Sequence, residues 1–479
     1  MAKSLDIPES LREKSDEERV ALEKKLKRKI DLRLIPMLVL IYIMNYLDRG
    51  NIAAAKIAGL PEDLNLKGSE YQWAVSVLFF GYILMQVPSN LYLNRIGKPG
   101  IYLPACMLAW GLVSTCMAAS HNFRDLLICR LFLGFAEAAY FPGCLFYLSC
   151  WYTRAELTFR TAIFFSGSII SGAVSGLVSS GICAKMEGLK GLRAWRWLFI
   201  LEGITTMFVA FLSFFILPDL PHTTTFLSTE ERELALWRLE KDTCEQTVSE
   251  DKHQSFLTGA LLAAKDIKVY VLMLLIHCIA VASSVVTYFP SIVKTLNYNR
   301  VTTFLLTVPP FALAVITTYF NAWHADRTNE RFFHILVPML FALASFLIDI
   351  TGRNNTIHYI SLVIMLPGIF SGQVIALTWV SNCIPNPPAK RAAALGFIST
   401  ISNSALIYTS FMYYDAARPR YLLAMSFNAS MLVVGIFAAF TMRRLLTRLN
   451  QKLDSDDLEE SSCEIPPGIP RKKSFRYII

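Results

Sequence analysis

Asp48 and Arg49 stand side by side in NYLDRGNIAAAK, residues 45–56, and Arg130 and Glu137 stand seven apart in RLFLGFAEAAYFPG, residues 130–143. All four lie in long apolar runs, where an ionised side chain at a helix centre costs about 2.5–3.5 kcal/mol. Charges persist there when they face a cavity or find a partner, and they mark substrate and proton pathways. The two residue types divide the work. A guanidinium keeps its charge and its fork matches a carboxylate, so Arg49 and Arg130 are candidates for holding an anion. A carboxyl loads and unloads a proton, the more readily where burial disfavours its charged form. Asp48 and Glu137 are therefore candidates for coupling proton flow to substrate flow.

Spacing says which of them meet. Seven residues are nearly two turns, so Arg130 and Glu137 share a helical face about 10 Å apart along the axis. Counting about 1.5 Å per residue along oppositely directed helices puts Asp48 and Arg130 at one depth. They are expected to pair, either as a working pair or as a static structural one. Glu137 lies nearer the midplane. Arg49 points about 100° away from Asp48 and faces a different environment. The charged cluster is expected to face a water-accessible cavity. Asp349, near the end of an apolar run, is expected to reach water.

Weaker candidates line the same expected cavity. FGYILMQVPSN places Tyr82 and Gln86 four apart, on one face. ALTWVSN offers Trp379 and Asn382, and STISNSALIY offers Asn403 and Tyr408. Each alone is more often an interhelical hydrogen bond or an interface aromatic than a ligand contact. Gly134, Gly167, Gly172 and Gly176 permit close helix approach, and Pro88 and Pro142 permit kinks.

The elements that position these residues follow from composition. The chain is 54% hydrophobic and 17% charged over 479 residues, too apolar for a soluble domain of that size. Twelve apolar spans are expected: 34–57, 71–93, 100–119, 124–150, 158–184, 196–217, 269–290, 302–323, 332–350, 356–383, 390–413 and 421–442. Each approaches the length that crosses a hydrocarbon layer about 30 Å thick. The first run is expected to act as an internal signal-anchor rather than a cleaved leader.

Lysine and arginine set the orientation. Lys24, Lys25, Lys27, Arg28, Lys29 and Arg33 precede the first span. Arg95 and Lys98, Arg154 and Arg160, Arg327 and Arg331, and Lys390 and Arg391 mark alternate loops, and Arg443, Arg444 and Arg448 follow the last span. Both termini are expected in the cytoplasm. The long connection 218–268 carries Ser228 and Glu231, a capping box before an amphipathic helix. It divides the chain into a segment 1–33, a six-helix bundle 34–217, the linker, a second bundle 269–447 and a tail 448–479. Two repeated halves are a transporter plan. NLYLNRIGK and NAWHADRTNER repeat an arginine, Arg95 and Arg327, at a helix end where it meets the negative pole of the dipole.

Other classes are disfavoured. The +9 net charge resides in short loops, which argues against nucleic acid as a partner. The ten cysteines are scattered through apolar runs without metal-ligand spacing, so neither disulfides nor a metal site is expected. GxxxxGK[ST] and HExxH motifs are missing, so an ATP-driven engine and a membrane-embedded enzyme are both disfavoured. A short tail argues against a nutrient sensor that signals without transport. Asn354 in NNT fits a glycosylation sequon that is expected to be unused, because it lies close to the membrane.

The stretches NYLDRGNIAAAKIAGL, FGYILMQVPSNLYLNRIG, RLFLGFAEAAYFPG, WYTRAE, RAWRWLFILEGI and HADRTNERFFH resemble the major facilitator superfamily. Within it, they resemble the anion:cation symporter family and its fungal allantoate permease branch. The resemblance runs from about residue 20 to 447. It implies an all-α fold of two six-helix bundles and proton-coupled import of a small organic anion by alternating access. A vitamin-like carboxylate, an allantoate-like acid or a sugar acid is the implied substrate type. Asp48 and Glu137 match the family's proton-carrying acids, Arg49 and Arg130 its arginines, and Tyr82 and Asn403 its cavity positions. Arg95, Asp326 and Arg327 match its gating motif. No cofactor is implied, since the proton gradient supplies the energy. The protein is expected to be a monomer in the plasma membrane, with the vacuolar membrane as the alternative site and export of a metabolite or toxin as the alternative direction. Three places depart from the family pattern: Asn94 replaces an acid, Ser404-Ala405-Leu406 replaces glycines after Asn403, and NCIPNPPAKRAA is proline-rich.

Overall fold

A computed structural model describes residues 14–247, 256–352, 354–384, 388–417 and 420–461, with Pro8 and Arg12. Residues 385–387 of the proline-rich loop, the side chains of Asn94 and Arg154 and the end of the tail lie outside the described residues. Every regular element described is helical. Eleven helical segments among the described residues, one of them broken in the middle, are long and apolar enough to cross a membrane. A further helix, Pro388–Thr409, stands where the eleventh span is expected. Its 22 residues reach about 33 Å.

Helix α1, Asp16–Ile57, begins well before the apolar run. Ser15 Oγ accepts from the Glu18 amide and Glu18 returns a bond to Ser15 N, so a capping box starts the helix among charges. Helix α2, Glu70–Ile96, ends at Gly97, whose φ of +64° lies in the left-handed region that glycine adopts without a Cβ penalty. Helix α3 is Pro99–Met117.

The fourth span is broken into α4, Phe123–Glu137, and α5, Tyr140–Ser149. Pro142 has no amide hydrogen to give the Ala138 carbonyl, and its ring crowds that carbonyl, so the ladder opens just after Glu137. Helices α6, Arg154–Lys185, and α7, Ala194–Ile216, complete the first half. In the linker, α8, Thr229–Thr247, carries the expected capping box: the Glu231 amide donates to Ser228 Oγ at 3.2 Å, and the Ser228 amide to Glu231 Oε2 at 3.0 Å. Then follow α9, Phe256–Lys265; α10, Ile267–Val293; α11, Arg300–Thr328; α12, Phe332–Thr351; α13, Asn355–Cys383; α14, Pro388–Thr409; and α15, Leu422–Ser461.

The chain forms two compact units. The first joins 1–253 with 287–312 and 406–419. Within it α1 packs on α6 and α7, α2 on α4, and α3 on α4 and α7. The later segments are tied in by Gln72 Nε2, which donates to the Tyr413 carbonyl at 3.3 Å, and by Ser76 Oγ, which donates to the Ile407 carbonyl at 2.8 Å. Tyr288 and Tyr413 stack at 4.4 Å. A charged network binds α8 to the start of α1: Lys29 pairs with Glu231 at 2.6 Å, and Lys27 and Arg238 meet on Glu156 at 2.7 and 3.1 Å. In the second unit, α12 packs on α13 and α15. Lys390 and Lys268 flank Asp266 at 2.7 and 3.7 Å.

Asp349 does not reach water. Its side chain is fully buried and meets His358 of α13, which turns the end of the span into an interior pair. Asn354 caps α13, accepting from the Thr356 amide at 2.9 Å.

Candidate functional site

The site grows from two helix crossings in the first unit. At the first, a Cβ on Gly134 would lie 2.1 Å from the Leu78 carbonyl oxygen, so only glycine lets α4 meet α2 this closely. That approach carries Arg130, one turn earlier on α4, to the α2 backbone. Its Nε donates to the Ala74 carbonyl at 3.3 Å, and its Nη2 to the Arg49 carbonyl at 3.5 Å. At the second, a Cβ on Gly203 would lie 2.8 Å from the Gly111 carbonyl oxygen, so α3 and α7 also touch backbone to backbone. Their hydroxyls then converge on α1. Ser114 Oγ donates to Asp48 Oδ1 at 2.6 Å and Thr206 Oγ1 to Asp48 Oδ2 at 2.7 Å.

The expected Asp48–Arg130 pair is therefore not formed. Arg130 does stand level with this part of α1, but Asp48 points the other way, into the contact of α1 with α3 and α7. It is fully buried and does not face an open cavity. Its neighbour Arg49, about 100° round the helix, takes the acid on α4: Arg49 Nε and Nη2 meet Glu137 Oε2 at 2.9 and 2.8 Å. Glu137 is fully buried, while Arg49 keeps 17% of its side chain exposed. The Arg49 guanidinium also lies 5.0 Å from the Tyr82 ring and 5.2 Å from that of Tyr46, within cation–π range.

Arg130 is the exceptional group. It is 1% exposed, and its two hydrogen bonds go to neutral carbonyls. Its Nη1 has no hydrogen-bond partner among the described residues. A buried charge without a matched counter-charge is costly, and this one is a fork with a free tine. One oxygen of Glu137 and the amide nitrogen of Asn45 are likewise unpartnered.

The other candidates fall in separate places. Gln86 lies one turn along α2 from Tyr82 and is half-buried. Trp379 is fully buried in α13, Asn382 is half-buried at the end of that helix, and Asn403 of α14 donates to Ser399 Oγ at 3.3 Å. These three belong to the second unit. Tyr408 is exposed. Arg95 and Arg327 both stand in the last turn of a helix, as the repeat implies. Asp326 pairs with Arg331 at 2.7 Å, and Arg327 lies over Trp323 at 5.5 Å.

The charge inventory missed Glu202. It lies near the middle of α7, 5% exposed, in the apolar run WLFILEGI. Being an acid in mid-span was its signal. Ser114, Thr206, Asn45 and Asn51 were missed for want of any charge to flag them.

The model of the Major Facilitator Superfamily matches residues 38–410. The chain belongs to that superfamily. It is 33% identical to the MFS-type transporter cnsO of Penicillium expansum, over 96% of this chain and 91% of that one. It is 30% identical to the major facilitator-type transporter hxnP of Emericella nidulans, over 91% and 88%. Among solved structures, a bacterial homologue of the human lysosomal transporter Spinster in an inward-facing, occupied conformation superposes with a TM-score of 0.65 at 15% identity, covering 86% of this chain and 96% of that one. A D-xylose–proton symporter gives 0.63 at 16% identity, covering 85% and 97%. These structural likenesses establish the shared fold. The chain is thus a multi-pass membrane transporter and not an enzyme.

Proposed function

We propose that this superfamily member imports a small organic anion together with protons, as a member of the anion:cation symporter family close to its fungal allantoate permeases. The observation that carries the reading is Arg130, a buried guanidinium whose Nη1 lacks a partner among the described residues. An anionic ligand supplies the missing counter-charge in a planar geometry the fork is built to meet. Arg49, already engaged by Glu137, becomes available to the same anion once Glu137 takes up a proton. That exchange links protonation to anion binding without any cofactor. Tyr82 and Gln86 on α2 flank the site, and Trp379, Asn382 and Asn403 are proposed as further substrate-binding residues. Arg95, Asp326 and Arg327 are proposed to gate the cytoplasmic side. The termini lie in the cytoplasm, and the protein works as a monomer in the plasma membrane.

The test is uptake of a radiolabelled panel of carboxylates into yeast lacking its own transporters, at mildly acidic and neutral pH, with Arg130→Gln and Glu137→Gln alongside. Import is supported if one acid accumulates at acidic pH, Arg130→Gln abolishes its uptake, and Glu137→Gln no longer concentrates it. If no acid accumulates although the protein reaches the surface, and preloaded cells expel one instead, the direction is export.

A further inference from the structure

Glu202 is the buried acid that the anion site leaves unused. It stands one turn before Thr206 on α7, and neither of its carboxyl oxygens has a hydrogen-bond partner among the described residues. Its electrostatic neighbours are Asp48 and Asn51 of α1. Asn51 is fully buried, and both of its amide atoms are also unpartnered. From α3 the crossing brings Ser114, committed to Asp48, and Thr115, whose hydroxyl donates to the Gly111 carbonyl at 2.9 Å. The nearest cation in sequence, Arg49, is turned to Glu137. So the place holds two carboxyls, hydroxyls and an amide, and the cation beside it is spent elsewhere.

Two adjacent carboxylates cannot both stay ionised at low cost without a cation, whereas one shared proton removes the conflict. An ionised Glu202, with only the Asn51 amide near it and no hydroxyl donor among the described residues, is costly to keep buried. Asp48, with two hydroxyl donors, is the better seat for the negative charge.

We propose that Glu202 and Asp48 form a two-carboxyl proton site inside the first bundle, separate from the anion-holding Arg49, Glu137 and Arg130. A proton leaving Asp48 breaks its O–H bond and forms one on Glu202, and the negative charge moves to Asp48 beneath Ser114 and Thr206. This deepens the proposed proton coupling and rests on it for its physiological use.

The test is infrared spectroscopy of the full-length protein in lipid nanodiscs, without substrate, during exchange from H2O into D2O. A protonated carboxylic acid has a carbonyl stretch distinct from that of a carboxylate. Wild type is expected to show such a band exchanging slowly. Glu202→Gln is expected to lose it and Asp48→Asn to shift it. Thr206→Val, which removes a hydroxyl from Asp48 and leaves Glu202 in place, is expected to shift it too and serves if Glu202→Gln does not fold. A wild type without the band, a folded Glu202→Gln that keeps it, or a Thr206→Val spectrum identical to wild type overturns the proposal. Because no substrate is present, failure of carboxylate uptake with the band intact counts against import alone.

Discussion

Arg49 and Glu137, on different helices and 88 residues apart in sequence, close to 2.8 Å, while Arg49's immediate neighbour Asp48 binds two hydroxyls on the opposite side of α1. One turn of a single helix thus separates two chemistries. The arginine face opens toward α2 and α4, where the Nη1 of a second guanidinium, Arg130, has no hydrogen-bond partner among the described residues. The aspartate face closes against α3 and α7, where a second buried acid, Glu202, lies.

Breaking the Arg49–Glu137 pair should destabilise the protein by up to about 3–5 kcal/mol, more when Arg49 is removed and the fully buried Glu137 loses its cation than when the partly exposed Arg49 loses its anion. Arg49→Gln combined with Glu137→Gln should cost less than the two singles summed, by roughly 0.5–3 kcal/mol. Thermal unfolding of the purified protein in detergent reads the cycle, and strict additivity would argue against the pair.

Arg130→Lys keeps the charge but loses the fork. Lysine offers a point charge with no planar match to a carboxylate. The KM of the transported acid should rise about tenfold to a hundredfold, equivalent to roughly 1.4–2.8 kcal/mol at 1.4 kcal/mol per decade. An unchanged KM would remove Arg130 from the binding site.

Gly134→Ala should destabilise by about 1–3 kcal/mol through overpacking, since its Cβ meets the Leu78 carbonyl oxygen at 2.1 Å. Gly181→Ala, on a face with nothing within 4 Å, is the matched comparison and should stay within about 0.5 kcal/mol of wild type. Equal midpoints for the two variants would contradict the close crossing of α2 and α4.

Burial by itself would raise the Glu156 carboxyl, but Lys27, Arg238 and Arg160 outweigh it and hold the group below its ordinary value. A depressed carboxyl stabilises the fold fully above the ordinary carboxylate range, near about pH 4.3, and loses that contribution as pH falls through its folded value. The amount is of order 1 kcal/mol after solvent screening. Glu156→Gln should lower the melting midpoint at neutral pH and show less further loss on acidification than wild type. Parallel curves would mean that Lys27 and Arg238 hold α8 without it.

The sequence made the membrane spans legible because an apolar run of crossing length has few other uses. It also made the shared face of Arg130 and Glu137 legible, since a spacing of seven leaves little choice of direction. The choice between Asp48 and Arg49 as the partner for α4 was not legible. The two differ by about 100° on one helix, and only the glycine crossings that bring Ser114 and Thr206 to Asp48 decide it. Asp349 looked like a span end near water until His358 of the next helix covered it. The charged start of α1 read as a terminal segment because its helical signal is a capping box, Ser15 with Glu18, and not an apolar period.

That early start has a mechanical consequence. From Lys27, in the network with Glu156, to Asp48 is one uninterrupted helix about 32 Å long. Pro36 is its one weak rung, where the Leu32 carbonyl loses its partner. A rod of this kind behaves as a lever. If the proposed proton site changes charge, a tilt imposed at Asp48 would reappear as a displacement at the linker helix, and the strength of the distant ion pairs would set the stiffness against it.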